Sequence, residues 1–266
     1  MKVISVVRDF GMYDRLVRNN PFYPKGTDFV AFDNNKENKT IPERYNSFLD
    51  KYNYANDDWF IFCHEDWEVQ EDLRKKLKNL DVNYLYGPIG MPLNYGLVFS
   101  RTPTGQIYNS NKDGGLKKII GTYNANFPEV GTFDCQSLIV HSSLIKKHHL
   151  RFDENLSFDL YIEDFCINAR ENYNISSKVI QLKCQHYSFG KIQERFYKQY
   201  KYLQKKYEKS KSAYITTCSN QIIGNKLFNL CLFFQMDSHF FYRKKVTKSG
   251  KLIIKICKIP VYRRKV

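Results

Sequence analysis

A short apolar segment that ends in three polar residues constrains this chain more than any other feature. The segment Trp59–Cys63 has the length and aromatic content of a buried strand, and His64, Glu65 and Asp66 follow it directly. Core packing does not call for an imidazole and two carboxylates at that point. In α/β proteins the carboxyl ends of strands form the rim of a sheet, where ligands bind. The segment therefore predicts a strand with a functional site at its end.

The pattern before this segment predicts a sheet of parallel strands. Apolar runs at Val3–Val7 and Asp28–Phe32 are typical of two further strands, and a helix that begins near Thr40 and Pro42 separates the second strand from the third. Later strands are expected at Tyr84–Gly90, Ser137–Val140 and Ser177–Leu182, and a helix is expected at Tyr161–Tyr173. This alternation predicts an α/β fold with a mixed, mostly parallel central sheet and helices on both faces.

The positive charge is concentrated in the last third of the chain. The 266 residues carry a formal net charge of +15, but residues 1–182 carry a net charge of −2 and residues 183–266 carry +17. This asymmetry predicts a near-neutral body at residues 1–190 and a basic, aromatic-rich extension at residues 191–266. We expect the extension to form helices that face an anionic membrane surface or the acceptor of the reaction. A solvated charged face packed against the body is the alternative.

Cysteine usage and hydropathy indicate a protein of the cytoplasm. The seven cysteines are scattered and form no CxxC pair, which excludes a zinc ribbon and a disulfide framework. No leader-like segment follows Met1, and no apolar run reaches the roughly 20 residues that span a bilayer. We therefore expect a cytoplasmic protein that is peripheral on the inner face of the cytoplasmic membrane.

Three further segments carry side chains that can do chemistry. Glu163 and Asp164 stand near the start of a helix, where they can act as a general base or simply complement the helix dipole. Asp134 precedes a buried strand and can bind an acceptor hydroxyl or belong to a plain loop. His186 follows a predicted strand and can ligate a metal or be structural. The alternative to a functional site at His64, Glu65 and Asp66 is a solvated polar turn after the strand.

These motifs, in this order, resemble the GT-A glycosyltransferases, in particular a family-2-like group in which His-Gln-Asp or His-Glu-Asp replaces Asp-x-Asp. The resemblance covers about residues 1–190 and implies the GT-A variant of the α/β fold. It is carried by Tyr45-Asn46, His64-Glu65-Asp66, Gly87-Pro88-Ile89-Gly90, Phe133-Asp134-Cys135, Arg151-Phe152-Asp153-Glu154, Tyr161-Ile162-Glu163-Asp164-Phe165 and the late His186.

The resemblance implies a role for each matching residue. Asp66 would bind a divalent cation, Mn²⁺ or Mg²⁺, with His64 and His186 as further ligands. The nucleotide sugar would contact Val7, Arg8, Asp9, Asp33, Asn34, Asn46 and Glu65. Asp134 would contact the acceptor, and Asp164, or alternatively Glu163, would take the proton of the acceptor hydroxyl.

The implied function is metal-dependent transfer of a sugar from a nucleotide-diphosphate donor, a UDP-sugar, to a glycan or lipid-linked acceptor. Inversion of the anomeric centre and a place in bacterial lipopolysaccharide or capsule synthesis are further expectations. The alternatives are a basic nucleic-acid-binding protein, a metal-dependent nucleotidyltransferase or phosphohydrolase, and an inactive scaffold. No nucleic acid is expected as a partner, because no RRM, KH or zinc motif is present. Dinucleotide, Walker and GxSxG motifs are also absent.

Overall fold

The computed structural model describes residues 1–93, 102–122, 128–189, 192–219, 221–225, 243–246, 251–256 and 259–265. The strands are β1 Lys2–Val7, β2 Asp28–Asp33, β3 Trp59–Cys63, β4 Trp67–Val69, β5 Leu85–Gly87, β6 Ile89–Pro92, β7 Thr104–Ser110, β8 Lys117–Thr122, β9 Glu129–Phe133, β10 Ser137–His141, β11 Ser177–Val179, β12 Cys184–His186, β13 Ala213–Ile215, β14 Ile222–Gly224, β15 Arg243–Val246, β16 Lys251–Ile256 and β17 Ile259–Lys265. The α-helices are α1 Phe10–Tyr13, α2 Ile41–Lys51, α3 Leu73–Leu77, α4 Ser142–His148, α5 Tyr161–Tyr173 and α6 Glu194–Lys206, and a π-helical turn at Asp14–Arg18 continues α1.

Twelve strands form one mixed sheet. Its order is β2-β1-β3-β10-β5-β11-β9-β6-β7-β12-β4, with β8 paired to β7. Strand β1 pairs in parallel with β2 and with β3, as the sequence predicts. Within the described residues, however, antiparallel neighbours outnumber parallel ones, because short returns such as that between β7 and β8 do not allow the long crossover that parallel pairing needs. The mixed α/β fold is confirmed, and parallel pairing joins β2, β1 and β3, β5 with β11, and β7 with β12.

The core lies on both faces of this sheet. Side chains alternate along β3, so that Phe60 and Phe62 pack with α2 and α5 on one face. Ile61 and Cys63 point to the other face, where they pack with α1 and α3. Helices therefore cover both faces, as predicted.

Several element boundaries follow from local sequence signals. Thr40 caps α2 through a capping box with Glu43, and Pro42 stands in the first turn. The helix α5 and the strand β3 have the predicted bounds. His141 caps α4, because its side chain accepts the Ser143 N–H.

The extension packs partly into the same core as the body. Phe196 and Leu203 of α6 and Tyr214 of β13 join the cluster on the α5 face. The prediction that the extension is helical is correct for α6 but wrong for the other described elements, which are the hairpin β13–β14 and the three-stranded sheet β15–β16–β17. Most of the aromatic-rich segment 222–242 lies outside the described residues, and the domain boundary at residue 190 stays a prediction. Among the described helices, none has the length and apolar character that crossing a bilayer requires.

Candidate active site

The end of β3 and strand β12 bring one carboxylate and two imidazoles together. His64 and Asp66 lie in the turn between β3 and β4. Strand β12 pairs antiparallel with β4, which places His186 opposite Trp67. His186 is 120 positions beyond Asp66 in the chain, yet the three residues predicted as metal ligands are adjacent in space.

His64, Asp66 and His186 are close enough to hold one metal ion. Asp66 Oδ1 lies 3.3 Å from His186 Nε2 and 3.9 Å from His64 Nδ1. The candidate ligand atoms of the three residues all lie within 4.8 Å of one another. Two imidazole nitrogens and one carboxylate oxygen suit Mn²⁺ and similar divalent ions, whereas Mg²⁺ prefers oxygen ligands. The residues therefore fit a divalent cation, and the nitrogen donors favour Mn²⁺.

The electrostatics of this cluster keep Asp66 ionised. Burial opposes its ionisation, but the His186 imidazole, followed by that of His64, lowers the pKa of Asp66 to about 2. Burial lowers the pKa of His64. Burial also acts to lower the pKa of His186, but the Asp66 carboxylate more than offsets this and raises it. At neutral pH the cluster thus offers an anionic carboxylate and a neutral His64, the forms that bind metals.

Hydrogen bonding selects the metal-binding tautomer of His64. The Tyr161 hydroxyl donates to the carbonyl oxygen of Cys135 at 2.7 Å and lies 2.9 Å from His64 Nε2. The hydroxyl has one proton, and the carbonyl can only accept. Tyr161 must therefore accept from an Nε2–H of His64, which leaves the lone pair on Nδ1, the nitrogen near Asp66.

Glu65 joins the ends of two parallel strands. Its Oε2 accepts the backbone N–H groups of Arg8 at 2.5 Å and of Asp9 at 2.9 Å. These amides follow β1, so the carboxylate holds the rim of the sheet together beside the cleft. Glu65 lines the cleft, as predicted, but two partners from the chain already occupy one of its oxygens.

A cationic cleft of about 530 Å³ opens next to the metal-ligand cluster. Arg8, Lys39 and Arg195 line it together with His64 and Phe158. The Phe158 ring is 46% exposed, stacks on the His64 ring at 5.5 Å, and lies 4.8 Å from the Arg195 guanidinium carbon. Guanidinium and ammonium groups bind phosphate, and an exposed aromatic face binds a planar or sugar ring.

Backbone strain shapes the wall that carries Phe158. Leu160 has a φ of +62° and is buried, and it immediately precedes α5. A left-handed conformation costs a leucine roughly 1 kcal/mol. This turn lets the chain leave the cleft wall at Phe158 and enter α5 at Tyr161.

Besides Glu65, two of the residues predicted to bind the nucleotide line the cleft, and Val7 does not. Arg8 and Asn34 contribute to the cleft wall. Val7 is fully buried in the core on the α1 face, so its side chain does not line the cleft. Because strand side chains alternate, its neighbour Val6 lines the cleft instead.

Three other predicted nucleotide contacts serve local structure. Asp9 caps α1 by accepting the Met12 N–H, and Asp33 accepts the Asn35 N–H in a turn after β2. Asn46 is buried, and its amide bonds both the N–H and the carbonyl of Phe152, as well as Glu154. The prediction that Asn46 approaches the base is wrong, because its polar atoms tie α2 to the loop before α5.

Asp134 and Glu163 meet near the metal-ligand cluster. The Asp134 charge is close enough to add to the raised pKa of His186 and to oppose in part the lowering of the His64 pKa by burial. Glu163 is fully buried and accepts the Cys135 thiol at 2.8 Å. Burial, then the charges of Asp134 and Asp159, raise the pKa of Glu163 to about 8, against the hydrogen bond from Cys135. Glu163 is therefore neutral at pH 7.

Asp164 does not face the site. Its Oδ1 accepts the Lys206 ammonium and the Tyr207 hydroxyl, both at 2.7 Å, and its side chain is 1% exposed. This carboxylate anchors α6 to α5. The predicted role of Asp164 as the base does not fit this geometry, because adjacent helix positions point about 100° apart and only Glu163 faces Asp134.

Sequence reasoning missed several residues of the site. Lys39, Phe158 and Arg195 line the cleft, and Thr217 contacts both Asp134 and Glu163. Arg195 and Thr217 belong to the extension. The change in charge at residue 183 marked that segment, but nothing in its pattern indicated which residues return to the body.

Comparison with known proteins finds similarity only at the level of solved structures. No protein-family model and no curated protein matches the sequence. A crystal structure of S. aureus TarS is 10% identical, with 70% of this chain and 59% of TarS covered and a TM-score of 0.41. A crystal structure of GalNAc-T7 with UDP, GalNAc and Mn²⁺ is 10% identical, with 95% of this chain and 61% of GalNAc-T7 covered and a TM-score of 0.45. The chain thus spans less than two thirds of the length of either structure.

Proposed function

We propose that this protein is a metal-dependent glycosyltransferase that uses a nucleotide-diphosphate sugar. The observation that carries the proposal is the cluster of His64, Asp66 and His186 beside a cleft lined by cations. A divalent ion and a diphosphate are the two partners that such a neighbourhood attracts. A nucleotide sugar supplies the diphosphate together with a sugar to transfer.

The cleft side chains suit the charge that develops as the donor is cleaved. A bound divalent cation would stabilise the negative charge that develops on the leaving diphosphate. Arg8, Lys39 and Arg195 add positive charge from the chain itself. Phe158 offers a flat surface for the nucleoside or the sugar. We propose a UDP-sugar as the donor.

Asp134 is the residue that we assign to deprotonate the acceptor. It is partly exposed, whereas Glu163 is fully buried and neutral at pH 7. An ionised Asp134 would take the proton of the acceptor hydroxyl as the new glycosidic bond forms, and the nucleotide diphosphate would leave with the bonding electrons. Attack from the side opposite the diphosphate would invert the anomeric centre.

We further propose that the extension meets an anionic membrane that carries a lipid-linked acceptor. The register of β15–β16–β17 sets Arg243 opposite Lys255 and Lys251 opposite Lys265. These two pairs place four basic residues at directly opposed positions of the backbone register. Like charges placed in this way destabilise a sheet unless an anionic surface neutralises them. Each lysine or arginine contributes about 1 kcal/mol of binding free energy near anionic lipid.

Binding to vesicles tests this part of the proposal. The protein should bind vesicles with anionic lipid at low salt and should not bind neutral ones. The double change Lys251→Glu and Lys265→Glu should abolish binding. Lys244→Glu with Arg264→Glu, at positions opposite Ile254 and Leu252, should weaken it less. Equal loss in both variants would contradict the importance of the opposed basic pair. A cytoplasmic location and a role in lipopolysaccharide or capsule synthesis belong to the same proposal.

Turnover of a panel of nucleotide sugars with Mn²⁺ tests the activity. Wild-type protein should release a nucleoside diphosphate from one class of donor. Asp66→Asn should reduce release at least 100-fold, and Asp134→Asn should reduce transfer by about 10²–10⁴-fold. Asp50→Asn, at a surface ion pair, is the matched control and should leave turnover unchanged. Release of nucleoside monophosphate or pyrophosphate would instead indicate a phosphohydrolase or a nucleotidyltransferase.

A further inference from the structure

The turn of the hairpin β13–β14 lies against the candidate acceptor site. The Thr132 hydroxyl of β9 donates to the carbonyl oxygen of Ile215 at 2.6 Å and so fixes the hairpin to the main sheet. Within the turn, Thr216 Oγ1 lies 2.9 Å from Ser219 Oγ and accepts the Gln221 N–H. The bonds made by Thr132 and Gln221 hold the position of Thr217, the residue at which the extension touches the acids of the body.

Thr217 stands between two carboxyl groups from different elements. Its Oγ1 lies 3.2 Å from Asp134 Oδ2, in the connection between β9 and β10, and 3.4 Å from Glu163 Oε1, on α5. A hydroxyl has one proton and can donate it to only one of the two oxygens. The second contact is favourable only if the other carboxyl group is protonated and donates to Thr217.

The surroundings decide which carboxyl group holds that proton. Glu163 is 0% exposed, and its other oxygen already accepts the Cys135 thiol. A buried carboxyl group favours the neutral form. Asp134 is partly exposed, and its Oδ1 accepts the Gln136 N–H at 3.2 Å. With the proton on Glu163, each hydrogen bond in the network has one donor and one acceptor, and the chain of donors ends on an ionised Asp134.

The other charged and titratable groups around the pair agree with this arrangement. Asp159 adds negative charge near Glu163, which also favours its neutral form. Cys218 is exposed, and its thiol lies 3.9 Å from Asp134 Oδ2 as a donor to that oxygen. Neither group competes with Asp134 as the anion of the cluster.

We propose that Thr217 is a positioning residue that links Asp134 and Glu163 into a pair with one shared proton and holds the ionised Asp134 toward the acceptor hydroxyl. The proposal rests on the proposed glycosyl transfer and assigns part of its acceptor site to the extension. In the transfer step Asp134 gains the hydroxyl proton, the acceptor oxygen bonds to the anomeric carbon, and the nucleotide diphosphate departs. Thr217 and Glu163 keep their protons throughout.

Three variants of the hairpin turn test the proposal. Thr217→Val keeps the shape of the side chain but removes the hydroxyl, and Thr217→Ser retains the hydroxyl. Ser219→Ala is the matched control, because it removes a hydroxyl from the same turn that bonds Thr216 rather than the acids. Thermal unfolding establishes that each variant is folded.

The expected result is a separation of kcat from the donor KM. Thr217→Val should lower kcat for transfer by about 10- to 100-fold while the donor KM changes by less than about threefold. Thr217→Ser should stay within about threefold of wild type, and Ser219→Ala should match wild type. A folded Thr217→Val variant with wild-type kcat overturns the proposal, as does a Thr217→Ser variant that fails to restore it. If Thr217→Val does not fold, the Thr217→Ser rescue and Thr217→Ala are compared in its place.

Failure of the proposed glycosyl transfer itself gives a different result from failure of the Thr217 assignment. In that case wild-type protein releases no nucleoside diphosphate from any donor, whereas failure of the Thr217 assignment leaves an active wild type and an equally active valine variant.

Discussion

Glu163→Gln should stabilise this protein at neutral pH. The side chain is fully buried, and burial, followed by the charges of Asp134 and Asp159, raises its pKa from the ordinary value of 4.5 to about 8. Each pKa unit corresponds to about 1.4 kcal/mol, so keeping this carboxyl group neutral at pH 7 costs about 3 kcal/mol of the free energy of unfolding. An amide is neutral at every pH and can accept the Cys135 thiol and donate to Thr217, so the variant does not bear this cost.

The pH dependence gives the prediction its sign. The pKa of Glu163 is higher in the folded protein than in the unfolded one. The stability that the protonated Glu163 provides is therefore fully present below pH 4.5 and is lost progressively as the pH rises through 8. The gain from Glu163→Gln should therefore be about 1 kcal/mol at pH 5 and about 3 kcal/mol at pH 7. Because Glu163 is neutral in the proposed site, transfer activity should fall by less than about tenfold.

Urea unfolding of wild type and variant at both pH values measures these differences. Glu194→Gln is the matched control, since it makes the same change at a side chain that is 82% exposed. The reasoning is refuted if Glu163→Gln destabilises the protein at pH 7, or if its effect is the same at pH 5 and pH 7.

Three other substitutions separate structural from functional roles. Asp164→Asn should lower the free energy of unfolding in urea by on the order of 1–3 kcal/mol, because Lys206 then has only Asp153 as an anionic partner. Turnover per folded molecule should stay within about threefold of wild type. Loss of turnover would restore Asp164 as the base. Asn46→Ala should lower the free energy of unfolding by about 1–3 kcal/mol, because it leaves the N–H and the carbonyl of Phe152 unpaired. The Kd for the nucleotide, measured by calorimetry, should not change. Weaker nucleotide binding would refute the structural role of Asn46. Arg195→Ala should weaken binding of a nucleoside diphosphate by about tenfold, whereas Arg151→Ala, at a surface ion pair, should not; equal Kd values would remove Arg195 from the phosphate site.

The fold and the metal cluster were largely accessible to sequence reasoning because each rests on a local signal. The apolar run Trp59–Cys63 reports a buried strand, and the polar residues after it lie at a rim whatever the rest of the sheet does. Thr40 and Glu43 form a capping box whose spacing alone marks the helix start. His186 was predicted from its place after a strand, and strand pairing with β4 then brings it to Asp66.

The errors concern quantities that local patterns do not contain. Val6 and Val7 are equally apolar, and only the packing of helices on each face decides which one borders the cleft. Glu163 and Asp164 are adjacent acids, and the difference between them depends on Lys206 and Tyr207 of the extension. Asn46 was assigned by resemblance, whereas its partners lie about 106 positions further along the chain.

Binding of Mn²⁺ followed by electron paramagnetic resonance tests the central claim most directly. Wild-type protein should bind one Mn²⁺ through His64, Asp66 and His186, and UDP should tighten that binding. Asp66→Asn should weaken it by at least 10- to 100-fold, because it removes the only carboxylate of the ligand set. Asp50→Asn should bind as wild type does. Equal Mn²⁺ affinity in wild type and Asp66→Asn, or a wild-type protein that binds no Mn²⁺ with UDP present, would contradict the account.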